Sequence, residues 1–199
     1  MCQLLETIRI ENGLPLNIAF HNQRFNHARN ALYGAIDFLN LEELIHCPDD
    51  LKNDILKCRI IYSREVEEIT FEPYHIRLIN SLKLVNDNSI DYSYKYLDRS
   101  HLNLLREQLG NADDILIVKN GFISDTSYAN IVFRHNDRWL TPSTPLLKGT
   151  KRENYLYSKK IIEELITPND LHKFSEARII NAMINLENSP IIPIGNIHF

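Results

Sequence analysis

The stretch DDILIVKNGFISDTSYANIVF (113–133) constrains the fold more than any other part of this chain. ILIV (115–118) and FIS (122–124) are apolar strand runs, and the Asn120-Gly121 pair between them tolerates the positive φ that a type I′ turn needs at both central positions. ANIVF (129–133) and RWL (138–140), joined by a polar HND turn, extend the hairpin into an antiparallel meander. Upstream, QLLETIRI (3–10) reads as a strand, Glu11-Asn12-Gly13 as a turn, and Leu14–Phe20 as a second strand. A helix over 21–34 turns Phe25, Ala28 and Leu32 inward, and helical stretches at 41–46 and 49–56 lead to strand CRIIYS (58–63). Alternation over 66–79 is broken by Pro73, LKLV (82–85) is another strand, and a helix follows at 99–109. The spacing of Tyr155, Ile162 and Leu165 predicts a helix from Gly149 to about 166, before ARIINAMI and PIIPI close the chain as buried pieces. Antiparallel runs with helices between them define an α+β class. Two lobes are expected, residues 1–90 and 91–199, with polar NDNSID (86–91) as the linker.

A length of 199 residues suits one large domain or two small ones. With 22 Lys and Arg against 26 Asp and Glu, the charge of −4 argues against a nucleic-acid or anionic-membrane surface, though not against a small basic pocket for a phosphate. No apolar run reaches the length of a membrane span, and the first twenty residues lack a basic start followed by a long apolar run. Cys2, Cys47 and Cys58 form no CxxC pair, and the eight histidines show no HExxH spacing. Neither a disulfide framework nor a metal site is expected, and a reducing cytoplasm fits.

Four features could carry chemistry. In an extended DYSYKYLDRS, Tyr92, Tyr94 and Tyr96 share one face and Lys95 lies on the other. A lysine among aromatics is either a partly desolvated nucleophile or a snorkelling surface residue. Asp125, at a strand end, either pairs with a cationic ring nitrogen or caps its own turn. Gly149-Thr150 before a helix makes a phosphate site, while Thr150 and Glu153 alternatively form a capping box. The basic Lys151 and Arg152 oppose the helix dipole there unless an anion sits nearby. Arg24, in HNQRF, is either an anion-binding fork or a solvated helix residue.

The segments LLETIRIENG (4–13), HNQRF (21–25), KYLDRS (95–100), DDILIVKNGFISDTSYANIVF (113–133), TPSTPLLKGTKR (141–152) and RIINAMI (178–184) occur in an order that resembles the class IV aminotransferase family, the fold-type IV pyridoxal-phosphate (PLP) enzymes. The family includes branched-chain and D-amino-acid aminotransferases and 4-amino-4-deoxychorismate lyase. The resemblance implies a two-lobed fold with a shortened N-terminal lobe, a PLP cofactor, an amine substrate and a homodimer. It makes Lys95 the Schiff-base lysine and proton shuttle, Arg24 a phosphate ligand, and Gly149 with Thr150 the rest of the phosphate cradle. Asp125 falls where the family usually has Glu against the pyridine nitrogen. Ser127 and Asn130 match the small polar residues that follow, and Asn181 with Ala182 a later loop near the phosphate. Arg59 and Arg64 are candidates for a substrate carboxylate, the alternative for both being a cross-strand ion pair with a residue such as Glu67.

The activity expected from the resemblance is a lyase-type elimination that gives 4-aminobenzoate and pyruvate. The alternatives are an aminotransferase of D-amino-acid or branched-chain type, and a non-catalytic descendant that binds the cofactor or a partner.

Overall fold

A computed structural model describes residues 2–51 and 55–199, which form two compact units. The first comprises residues 1–75 and 94–98, the second residues 76–93 and 99–199.

In the first unit, β1 (Leu4–Glu11) turns through Asn12 (φ 52°) and Gly13 (φ 75°) into the two-residue β2 (Leu14–Pro15). The strand expected to reach Phe20 stops at Pro15, because Asn17 adopts a left-handed conformation (φ 59°) and starts α1 (Ile18–Tyr33). That helix ends on Gly34, whose positive φ of 64° lets its N–H reach back to the carbonyls of Arg29 and Asn30. Its inward face is His21, Phe25, Ala28 and Arg29, whereas Leu32, expected inside, is 39% exposed. α2 (Leu41–Leu44) is a single turn capped by the Asn40 side chain. Of the helix expected over 49–56, Asp49–Leu51 is a short 3-10 turn, residues 52–54 lie outside the described residues, and Leu56 already opens β3 (Leu56–Tyr62). β4 (Val66–Pro73) completes an antiparallel sheet of order β2-β1-β3-β4.

Register decides which side chains this sheet buries. Leu4, Glu6, Ile8 and Ile10 of β1 oppose Tyr62, Ile60, Cys58 and Leu56 of β3. All eight are buried, so a carboxylate, Glu6, stands in a row of apolar residues. Residues 94–98 join this unit because β2 is too short to cover the start of β1. There Leu5 N–H donates to the Lys95 carbonyl, Leu97 N–H donates to the Gln3 carbonyl, and Leu4 pairs with Tyr96. Tyr94 and Tyr96 pack on the unit's core, whereas Tyr92 belongs to the second unit.

The second unit begins with residues 76–93. The polar segment expected as a linker is folded there: Asp87 accepts bonds from the N–H groups of Ser89 and Ile90, and Ile90 is 1% exposed. β5 (Leu82–Asn86), α3 (Ser100–Arg106), β6 (Asp114–Lys119) and β7 (Phe122–Thr126) follow, with the Asn120-Gly121 turn at φ 53° and 83°. Next come β8 (Asn130–His135), β9 (Arg138–Pro142), α4 (Thr150–Tyr157), β10 (Ile162–Glu164), β11 (Glu176–Ile180), β12 (Ile192–Pro193) and β13 (Ile197–His198). They make two sheets, β13-β5-β6-β7 and β10-β9-β8-β11-β12. The expected continuous meander is therefore divided at the Thr126–Ala129 turn, with one hairpin in each sheet. β5 pairs parallel with β6, so the class is α+β with both strand arrangements present.

The helix expected to run to 166 has eight residues. Lys159 takes a left-handed conformation (φ 57°), the N–H groups of Lys160 and Ile161 return to the Tyr155 carbonyl, and the chain leaves as β10, parallel to β9. Ile162 and Leu165 are exposed, and of the three residues expected inside only Tyr155 is buried.

Candidate active site

In the first unit the candidate residues gather around Glu6. α1 lies over β1 and brings His21 and Arg24, one helical turn apart, onto that carboxylate. Arg24 donates from Nε to Glu6 Oε1 (2.8 Å) and from Nη2 to Oε2 (2.7 Å), a bidentate fork, while His21 Nδ1 lies 2.7 Å from Oε2. Burial pushes the Glu6 carboxyl up, but the Arg24 charge and the bonds from His21 and Arg24 outweigh it and hold the group at about 2. Burial lowers the His21 pKa, partly offset by Glu6, and the positive charges of Arg24 and Lys95 act in the same direction as burial. Lys95 thus shares a unit with Arg24, close enough to His21 for its charge to act on the ring.

Neither Glu6 nor His21 was singled out by the motifs. The signals were there: a carboxylate at an inward position of LLETIRI, and His21 and Arg24 at helical i,i+3 spacing.

The other two arginines of this unit differ from Arg24. Arg59, on β3, lies between Thr7 and Thr70 and has no ion-pair partner among the described residues. The Glu67 carboxylate offered as its alternative partner instead accepts a 2.5 Å bond from Gln3. Arg64 is exposed after β3, and its carbonyl accepts from Arg29 Nε at 2.7 Å.

In the second unit, Asp125, Asn130, Gly149 and Thr150 come together. Asn130 Nδ2 donates to Asp125 Oδ1 (2.8 Å) and to the Leu147 carbonyl (2.9 Å), and Leu147 N–H donates to Asp125 Oδ2 (3.0 Å). Burial raises the Asp125 pKa to about 6 against these bonds and the Arg152 charge. Asn130 also explains Gly149, because a Cβ there would lie 2.1 Å from Asn130 Oδ1. Gly149 is the N-cap of α4 and Thr150 its first helical residue, so Thr150 and Glu153 do not form the capping box. Gly149, having no side chain, supplies no side-chain cap of its own to that helix start.

Arg152 needs no external anion to sit in the first turn of α4. It is 1% exposed and donates to the Pro142 carbonyl (3.0 Å), Glu153 (2.7 Å) and Glu163 (2.5 Å). Ser127 donates from Oγ to the buried Asp114 (2.9 Å), and Asn181 Oδ1 accepts from the N–H groups of Met183 and Ile184. Ala182 is half-buried in that turn. Among the described residues no helix is long and apolar enough to cross a membrane.

The chain belongs to the class IV aminotransferase family: the model of the family described as "Amino-transferase class IV" matches residues 3–194. An uncharacterized protein of Haemophilus influenzae is 42% identical over 188 residues, 94% of this chain and all of the other. Among solved structures, a "putative 4-amino-4-deoxychorismate lyase" from Haemophilus somnus 129PT matches with a TM-score of 0.85 and 35% identity, over 94% of this chain and 98% of that one. The PLP-bound form of "a hypothetical aminotransferase from Mycobacterium tuberculosis" shares the fold at 16% identity and a TM-score of 0.74, over 96% of this chain and 80% of that one. The fold is therefore α+β fold-type IV.

Members of the family bind PLP, and the groups present here suit it. In the first unit they are an amine at Lys95 and an oriented guanidinium at Arg24, and in the second a buried carboxylate at Asp125 and the helix N-terminus at Gly149.

Proposed function

We propose that this chain is a PLP-dependent lyase that splits 4-amino-4-deoxychorismate into 4-aminobenzoate and pyruvate, acting as a homodimer in the cytoplasm. The observation that carries this reading is the Haemophilus somnus protein of that description, similar over nearly the full length of both chains. When bound, the cofactor supplies an electron sink for the carbon that bears the substrate's amino group. Lys95 Nζ holds the cofactor and moves the proton at that carbon. Asp125, oriented by Asn130 and Leu147, keeps a proton on the ring nitrogen. Arg24, the N–H groups following Gly149 and the Thr150 hydroxyl bind the phosphate. Ser127, Asn181 and Ala182 serve the cofactor through the backbone shape they maintain, since the Ser127 hydroxyl and the Asn181 amide oxygen are engaged within the fold. Arg59 takes a substrate carboxylate, in keeping with its lack of an ion-pair partner among the described residues, and Arg64 is the second candidate.

Product analysis tests this reading. With PLP and 4-amino-4-deoxychorismate, the purified protein is expected to release pyruvate with no added keto acid, and Lys95→Ala to release none. Turnover only in the presence of a keto-acid acceptor would make the chain an aminotransferase of D-amino-acid or branched-chain type. Failure to retain PLP on desalting would leave a non-catalytic descendant.

A further inference from the structure

Glu6 stands where the sheet calls for an apolar side chain. Its neighbours along the inward row are Leu4 and Ile8, its cross-strand partner is Ile60, and it is 0% exposed. A carboxylate in that position is strongly disfavoured unless its partners compensate it. The compensation comes from α1, through His21 and Arg24. Of the three side chains, Glu6 and His21 are sealed at 0% and 1% exposure, while Arg24 keeps 16%. The cluster is a buried base beneath one partly exposed cation.

Arg29, on the same helix, shows what a purely structural arginine looks like here. It is 0% exposed, and Nε, Nη1 and Nη2 donate to the Arg64 carbonyl, Asn26, and the Asp37 carbonyl and carboxylate. Glu6 by contrast holds Arg24 through Nε and Nη2 together, a bidentate pair that sets the plane of a guanidinium still 16% exposed.

We infer that Glu6 is a positioning residue for anion binding: it fixes the plane of the Arg24 guanidinium, so that the exposed part of the fork meets a phosphate already oriented. This rests on the proposal that Arg24 receives the cofactor phosphate. Two consequences follow from the chemistry. The long arginine side chain is ordered by folding instead of by the ligand, which removes an entropic penalty from binding. The pair is also neutral before the anion arrives, so a cation can sit at this depth in the absence of cofactor.

The inference is tested by equilibrium titration of the apo protein with PLP and with pyridoxal, which lacks the phosphate, read by absorbance and independent of turnover. Wild type is expected to bind PLP much more tightly than pyridoxal, and Arg24→Met to lose most of that advantage. Glu6→Gln should weaken PLP about tenfold, the scale seen when a ligating side chain loses its orienting partner, and leave pyridoxal unchanged. Glu6→Gln in the Arg24→Met background should add nothing. Equal weakening of both ligands, or an undiminished effect of Glu6→Gln on PLP without Arg24, would overturn the inference and make Glu6 a folding residue only. If Glu6→Gln does not fold, Glu6→Asp takes its place in the cycle, keeping the charge but withdrawing the carboxylate by one methylene. Failure of the underlying reading looks different: wild type and Arg24→Met would then both hold PLP no better than pyridoxal, and the inference would fall with it.

Discussion

Glu6 and Asp125 are carboxylates buried to nearly the same degree in the two units, 0% and 5% exposed, yet they titrate far apart, at about 2 and about 6. Burial raises both. Glu6 is gripped by the charged Arg24 fork and by His21, whose combined effect exceeds the desolvation cost. Asp125 is held mainly by neutral dipoles, the Asn130 amide and backbone N–H groups, which orient it without supplying a full opposite charge at contact distance. A cation as direct partner makes a buried carboxylate a permanent anion that the fold depends on. Neutral donors make one that is positioned but remains able to exchange a proton near physiological pH.

The largest expected effect breaks the first half of this contrast. Glu6→Ala leaves Arg24 without its acid in the interior and should reduce stability by about 3–5 kcal/mol in urea unfolding. The pH dependence has a definite sign. The folded pKa of Glu6 lies below its ordinary 4.5, so the unfolded chain binds more protons between pH 4.5 and about 2. Its contribution is complete above that window and is lost as pH falls through it. Wild type should therefore lose stability there more steeply than Glu6→Ala.

Asp125→Asn tests the second half. The amide is nearly isosteric and uncharged, so stability at neutral pH should change by less than about 1 kcal/mol, while kcat falls roughly a hundredfold if the charge supports the ring nitrogen. Here the sign is reversed. With a folded pKa raised from 3.8 to about 6, the folded state binds more protons across that window, and wild-type stability relative to Asp125→Asn should decline as pH rises through it. Unchanged turnover in this variant would reduce Asp125 to a turn residue. Gly149→Ala comes third, with no direct loss of a charged group. Its new Cβ would meet Asn130 Oδ1, an atom held by the same amide that binds Asp125 and Leu147, at an expected cost of about 1–3 kcal/mol in thermal unfolding. Displacing Asn130 should also shift the acid limb of the pH–rate profile, a response that Glu6 variants should not show.

What could be read from the sequence follows from which properties are local. The Asn12-Gly13 and Asn120-Gly121 turns were readable because a positive φ is a requirement of the residue itself, and both pairs adopt it. The strand at CRIIYS was readable because β-branched and aromatic residues favour an extended backbone, and β3 covers it as far as Tyr62. The family segments, in their order, led to the class that the comparison with known proteins shows. Pairing over distance was not accessible in this way. The division of the meander between two sheets, the exit of α4 after eight residues into a parallel strand, and the attachment of residues 94–98 to β1 depend on hydrogen bonds between segments far apart in the chain. The environment of Glu6 is of the same kind. Its position in LLETIRI sets which face of the strand it occupies, but whether that face meets water, an aliphatic residue or an arginine is decided only when α1 lies across the sheet. A charge's energy depends on everything within a few ångströms of it, and only the tertiary structure brings those groups together.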